Sequence, residues 1–289
     1  MKDCDSTRNE DINILLSCDG NYLLRARTML FSLWMNETAC GTKPAACRVY
    51  LIHSGIDKDM LDNFKADLAR MNMTFSDIKI DENTFGNAPI TDRYPQEMYY
   101  RLLAGIILPR DLHRVLYLDP DILVINPVRK LWQTDLEGHL FAAAAHEEKT
   151  SLTDDFNNIR LGTEGIYYNS GVLLMDLDAC RERINPDEIF TFIRRHRLGM
   201  LLPDQDVLNA LYEKDILQIP DIIWNYDARH YLTYKMNTDS TANVEWIISN
   251  TSILHFCGRA KPWKEHYPYR FGALYKHYSH LEKRFFEGQ

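Results

Sequence analysis

The sequence predicts an α/β fold: a mostly parallel, twisted sheet flanked by helices. Three observations carry this. Strand-like apolar runs alternate with helix-like stretches through the first half of the chain, the order that a parallel sheet with crossover helices requires. Compact apolar runs stop abruptly at polar turns, as His113 to Leu118 does at Asp119-Pro120-Asp121. The 289 residues, 45% apolar and 26% charged, suffice for one large domain, and no repeat, low-complexity stretch or linker divides them.

The elements follow in order. Ile12 to Cys18 is a short apolar run ending in Asp19-Gly20-Asn21, a strand and then a turn. Tyr22 to Met35 has helical apolar spacing and is broken by Arg25 and Arg27, so it is an amphipathic helix. Cys47 to Ser54 is a second strand. Asp57 to Met71 is a helix with Met60, Leu61, Phe64 and Leu68 on one stripe. Met73 to Ile80 is a third strand, and Asp81 to Pro95 is a loop. Gln96 to Leu108 is expected to be one helix leading into the strand His113 to Leu118. His139 to His146 is a small apolar strand. Glu147 to Gly165 is polar and is expected to be a mobile loop. Ile166 to Asp176 is a strand, and Pro186 to Arg197 and Asp204 to Tyr212 are helices. The final third is loop-rich and aromatic around the strand Ser252 to Phe256, and Arg270 to Gln289 suggests a terminal helix.

Composition narrows the function classes. A formal net charge of -8 disfavours a general nucleic-acid binder, which needs a basic field. No apolar stretch reaches the ~18 residues of a membrane span. The start stays polar until Ile12, without the basic-then-apolar pattern of a signal peptide. A cytoplasmic location with reduced cysteines is therefore expected, including Cys40 and Cys47. None of the six cysteines forms a CxxC pair, which disfavours a zinc knuckle.

Five segments carry candidate chemistry. Asp119 and Asp121 stand at i and i+2 just past a buried strand, so their carboxylates can converge, and ligands of open α/β sheets bind outside the carboxyl ends of strands. Pro120 stiffens that turn. Such a pair suits Mg²⁺ or Mn²⁺ shared with phosphate oxygens; an acidic turn is the plainer alternative. His255 closes a strand and is followed by Gly258 and Lys261, a plausible imidazole ligand with a phosphate loop, although a core histidine and a surface lysine would look the same. Asp204-Gln205-Asp206 opens a helix, either as caps or as a sugar-hydroxyl clamp. Asn169-Ser170-Gly171 lies inside an apolar strand, where polar side chains need partners or a ligand. Arg101, after Tyr99-Tyr100, could reach a phosphate, a sugar hydroxyl or a neighbouring acid.

Together these segments resemble the retaining UDP-sugar glycosyltransferases of family 8, a group that includes bacterial lipooligosaccharide galactosyltransferases, lipopolysaccharide glucosyltransferases and glycogenin. The resemblance rests on Ile14 to Tyr22, Tyr99 to Leu103, Val115 to Val124, Tyr168 to Leu177, Pro203 to Asn209 and His255 to Trp263, in the family's order. The closing His-x-x-Gly-x-x-Lys-Pro-Trp is the most specific part. Ser170 departs from it, since relatives often carry Ala there.

The resemblance implies a Rossmann-like GT-A catalytic domain over residues 1–269 with a helical tail over 270–289. It implies that Asp19, Asn21 and Tyr22 hold uracil and ribose, and that Asp119, Asp121 and His255 ligate Mn²⁺, or Mg²⁺, on the diphosphate. Arg101, Asn169 and Asp204 would hold the donor sugar, with the neighbouring Ser170 and Gly171 in the same pocket. Gln205 would lie beneath the anomeric carbon, and Gly258 and Lys261 would hold phosphate oxygens. The partners implied are a UDP-hexose and a hydroxyl acceptor, a saccharide of a lipopolysaccharide or other cell-surface glycan. The basic, aromatic tail could also touch an anionic membrane at its inner face. Two rivals remain at this stage: a haloacid-dehalogenase-like phosphatase, which also places Asp-x-Asp after a buried strand, and a non-catalytic sugar-nucleotide-binding protein.

Overall fold

The computed structural model describes residues 11–38, 47–80, 97–145, 160–196 (162 and 164 aside) and 200–288. The expected loop at 81–95, most of that at 147–165, and Cys40 lie outside the described residues.

The described residues form ten strands: β1 (Ile12–Ser17), β2 (Cys47–His53), β3 (Met73–Lys79), β4 (Arg114–Leu118), β5 (Ile122–Val124), β6 (Phe141–Ala145), β7 (Tyr168–Asp176), β8 (Ile216–Ile219), β9 (Tyr226–Asp227) and β10 (Ile253–His255). Seven form one sheet in the order β3-β2-β1-β4-β7-β6-β8. Its β3, β2, β1 and β4 are mutually parallel, as are β6 and β8, while β7 runs antiparallel to both its neighbours. A second, small sheet has the order β5-β10-β9.

The longer helices are α1 (Leu23–Thr38), α2 (Lys58–Arg70), α3 (Leu177–Arg183), α4 (Pro186–His196), α5 (Pro203–Tyr212), α6 (Tyr231–Asn237), α7 (Val244–Asn250) and α8 (Gly272–Glu287). The period-2 geometry of a strand sorts its side chains onto two faces. In β1, Ile12, Ile14 and Leu16 join the core that holds Met29 and Leu30 of α1. Leu15 faces the opposite core, with Tyr117, Leu173 and Leu208. Both faces are covered, which is why these strands read as unbroken apolar runs.

Some expectations needed correction. The span expected to be one helix from Gln96 to Leu108 is broken: single helical turns at Glu97–Tyr100 and Ala104–Ile107 flank a 3-10 turn, Arg101–Leu103. In α2, Phe64 and Leu68 are buried but Met60 is exposed; its Cε lies 3.3 Å from where a Cβ on Gly20 would stand.

The chain-end segment is a 16-residue helix that packs on the body. Phe285 and Phe286 lie against Phe31 of α1, with ring centroids at 5.6 and 6.2 Å. Glu282, 1% exposed, accepts from Arg27 Nε at 2.6 Å and from the Thr28 hydroxyl at 2.7 Å. Arg27 also donates to Asp67 of α2. Burial disfavours the charged guanidinium, but these carboxylates outweigh it and hold the Arg27 pKa above its ordinary value.

Candidate active site

The chain builds β1, β2 and β3 outward in one direction and then returns to place β4 on the other side of β1. Where strand order reverses in this way, a crevice opens outside the carboxyl ends of the two strands. The turn after β1 carries Asp19, Asn21 and Tyr22; the turn after β4 carries Asp119, Pro120 and Asp121. Because β7 is antiparallel, its beginning lies beside the end of β4, with Leu118 opposite Val172. The Asp119 amide donates to the Gly171 carbonyl at 2.8 Å. Asn169, Ser170 and Gly171 therefore arrive at the same crevice from the opposite chain direction.

The small sheet brings the third element. After Asp121 the chain enters β5, which pairs with β10 so that Ile122 stands opposite His255. His255 Nε2 lies 3.2 Å from Asp121 Oδ1 and 3.7 Å from Asp119 Oδ2. Ligand atoms of the three residues all fall within 4.8 Å of one another. His255 Nδ1 is 2.8 Å from the side-chain oxygen of Asn225. An amide oxygen only accepts, so this contact places a proton on Nδ1 and turns Nε2 toward the carboxylates, where it is the nitrogen that a metal would take in place of its proton.

Gly171 has a steric reason. A Cβ there would stand 2.3 Å from His255 Cε1 and 2.7 Å from Asp119 Oδ2, so any side chain would invade the triad. Gly258 has a conformational one: its φ is +81°, in the region that only glycine adopts without strain.

Around the triad, charges are paired with care. Lys261 bonds Asp121 and also donates to the Phe256 carbonyl at 2.9 Å. Burial alone would raise the Asp121 pKa, but His255 and then Lys261 outweigh it and hold the carboxyl far below the usual range. Asp119 goes the other way. Burial dominates and lifts it, the charge of Asp121 adding to that lift, with Arg101 and His255 only partly offsetting it. Two carboxylates this close cannot both ionise freely without a cation between them. The Tyr117 hydroxyl donates to Asp119 Oδ1 at 2.6 Å.

Arg101 is 7% exposed. Its Nη1 meets Asp119 Oδ1 at 3.0 Å, Asp204 Oδ2 at 3.1 Å and the Ser170 carbonyl at 3.0 Å. Its guanidinium stacks over the Tyr117 ring at 4.3 Å. The structure thus sets Arg101 between the two carboxylates as a brace. Ser170 donates to Asp204 Oδ2 at 2.7 Å, a bond that Ala could not make.

The acidic start of α5 divides its work. Asp204 turns to Arg101 and Ser170, and Gln205 Oε1 accepts from Asn169 at 3.2 Å. Asp206 is fully buried and holds Arg160, the Tyr167 hydroxyl and the Leu201 amide. It anchors the segment entering α5 and lies outside the cluster around the triad.

Asp19 caps the turn at Gly20–Tyr22, accepting from the Tyr22 amide at 3.1 Å and from Asn21 at 3.3 Å. Tyr22 meets Trp263 edge to face at 6.1 Å, which ties this turn to the loop of Gly258 and Lys261. The structure therefore gathers the residues singled out above around one crevice, Asp206 excepted. Sequence reading missed Asn225 and Tyr117; for Arg101 it offered a neighbouring acid among three alternatives, and the structure pairs it with two. Asn225 carries no local signal: it follows a single helical turn, and only the β9–β10 pairing brings it to His255.

Fold and site together define a cluster of two carboxylates and an imidazole that could hold a metal ion, at the switch point of an α/β sheet. The sequence matches Glycosyl transferase family 8 over residues 13–266, and the chain belongs to that family. It is 27% identical over 285 residues to General stress protein A of Bacillus subtilis (strain 168), covering 96% of each chain. It is 24% identical over 275 residues to Lipopolysaccharide 1,2-glucosyltransferase of Escherichia coli (strain K12), covering 93% of this chain and 77% of that protein. Among solved structures, an active-site mutant of LgtC superposes with a TM-score of 0.76 at 21% identity, covering 93% and 96% of the two chains. The galactosyltransferase LgtC in complex with donor and acceptor sugar analogs gives 0.74 at 22%, with the same coverage. The GT-A fold expected from the sequence is thus the fold observed, and family membership sets the phosphatase rival aside.

Proposed function

We propose that this glycosyltransferase moves a hexose, glucose or galactose, from a UDP-sugar to a saccharide hydroxyl, keeping the anomeric configuration. The acceptor would be lipopolysaccharide or another cell-surface glycan. The observation that carries the reading is the convergence of Asp119, Asp121 and His255 within 4.8 Å, beside Lys261 and the Asp204–Gln205 pair. A glucosyltransferase and a galactosyltransferase among its relatives support the sugar class.

The donor set fits Mn²⁺, with Mg²⁺ as the alternative: two hard carboxylates and one imidazole whose Nε2 is already turned inward. Asp119, Asp121 and His255 would hold the ion, which would supply Lewis-acid stabilisation of the diphosphate leaving group. Lys261 adds a fixed positive charge at the same place, and Gly258 lets the backbone approach the phosphates. Asp19 and Asn21 receive ribose and base, and Tyr22 offers a ring for the base. Asn169, Asp204 and Gln205 bind sugar hydroxyls; Arg101 and Ser170 position Asp204, and Gly171 keeps the crevice open.

Asp204 is a poor nucleophile here. Its Oδ2 is shared between Arg101 and Ser170, which lowers its electron density and fixes its orientation. Gln205 is an amide. Neither offers the free carboxylate that a covalent intermediate needs. The acceptor oxygen therefore attacks C1 from the face that the diphosphate leaves, and its proton passes to the departing phosphate oxygen. A trapped glycosyl adduct on Asp204 would refute this.

The same reading treats residues 1–269 as the catalytic unit and 270–289 as its tail, acting in the cytoplasm and touching the membrane's inner face through Lys276, Lys283 and Arg284. These three are exposed on α8. No described helix is long and apolar enough to cross a membrane. Replacing all three by Gln should reduce flotation with anionic vesicles; unchanged flotation removes the membrane contact.

The central test is UDP release from a panel of UDP-sugars with Mn²⁺ and with chelator, for wild type and Asp121→Ala. One sugar should give Mn²⁺-dependent release that the variant loses. Binding of UDP-sugar without any release would point to the sugar-nucleotide-binding alternative.

A further inference from the structure

We infer that an open cavity of about 560 Å³ beside the catalytic crevice is a subsite for an anionic group, phosphate or carboxylate, on the acceptor saccharide. The inference rests on the transferase reading above and goes further by naming the acceptor's chemistry.

The cavity is lined by Arg229, His230, Tyr231, Tyr269 and Arg270, among others, and none of its described lining residues is acidic. In a chain of net charge -8, a concave surface with two arginines and a histidine is a local reversal of sign. Arg229 is partly offset: its Nε donates to Asp227 at 2.9 Å and its Nη2 bonds the same carboxylate. His230 Nε2 lies 3.9 Å from Asp227. Arg270 instead stacks on the Tyr231 ring at 4.4 Å, a contact that orients the guanidinium without cancelling its charge. Such a planar, pre-oriented fork suits a bidentate oxyanion. Tyr269 adds a ring against which the apolar face of a sugar can pack.

Position links the cavity to the reaction. Asp227 stands opposite His255 in the β9–β10 pairing, one strand from the metal ligand. The Arg229 Nη1 lies 2.7 Å from where a Cβ of Gly258 would stand. The cavity is therefore continuous with the loop assigned to the donor phosphates, and a saccharide held in it presents a hydroxyl toward that loop.

The test titrates the full chain with glucose, glucuronate, glucose 6-phosphate and inorganic phosphate by saturation-transfer NMR, with and without Mn²⁺ and UDP. One charged sugar should bind about tenfold more tightly than glucose, the size of one charge-assisted hydrogen bond, and the two charged sugars identify which anion is preferred. Arg270→Gln should abolish that preference while the Tm and the Kd for UDP stay unchanged. Equal binding of charged and neutral sugars, or a preference that survives Arg270→Gln, overturns the inference. Inorganic phosphate binding as tightly as glucose 6-phosphate overturns its saccharide part. Failure to bind UDP would instead strike the donor reading, since the anion preference is also read without UDP.

Discussion

Single atoms decide the geometry around Asp119, Asp121 and His255. Gly171→Ala places a methyl 2.3 Å from the His255 ring, so the triad must spread. Mn²⁺ affinity, measured by titration calorimetry, should fall about ten- to a hundredfold, as it does when ligand orientation is lost. Asn225→Leu removes the acceptor that keeps the His255 proton on Nδ1. The same range of loss is expected, and Asn225→Asp, which still accepts there, should restore most of it. Ser170→Ala frees one bond from Asp204 and should cost roughly 1.5–3 kcal/mol in transition-state stabilisation if Asp204 holds the sugar. That loss appears in kcat/KM with the named donor, whereas Mn²⁺ binding stays as it was.

At the scale of elements, local signals and non-local ones part company. Asp119-Pro120-Asp121 was legible because a strand of apolar residues ends there and the i, i+2 spacing is fixed by backbone geometry. His255, Gly258 and Lys261 were legible through their spacing and order. β5, β9 and the placement of Asn225 were not. Strands of two or three residues are too short to show a period, and they exist only because β10 pairs with both. The broken helix around Arg101 was missed for a related reason: Tyr99-Tyr100-Arg101-Leu102-Leu103 has sound helical composition, and the tight turn is imposed by the carboxylates that Arg101 reaches. Gly105 shows the same tertiary override, since a Cβ there would meet Cys180 at 3.0 Å. Gly105→Leu should therefore separate this turn from α3 and cost about 1–3 kcal/mol by overpacking, read from denaturant unfolding.

Across the whole molecule, α8 is part of the core and not a detachable appendage. Glu282→Ala removes two bonds to α1 and leaves Arg27 half-compensated by Asp67. The expected loss is about 1.5–3 kcal/mol, measurable as a lower Tm. Deleting 272–288 should do more, exposing Phe31 and Trp34, and the truncated chain should bind a hydrophobic dye or aggregate. The contact between Arg27 and Glu282 spans 255 residues of sequence. In synthesis, this means α1 waits for its cover until residue 282 clears the ribosome, although the strands on either side of it emerged long before. The first half of the chain is thus born with an uncovered aromatic face, and its folding is timed by the arrival of α8.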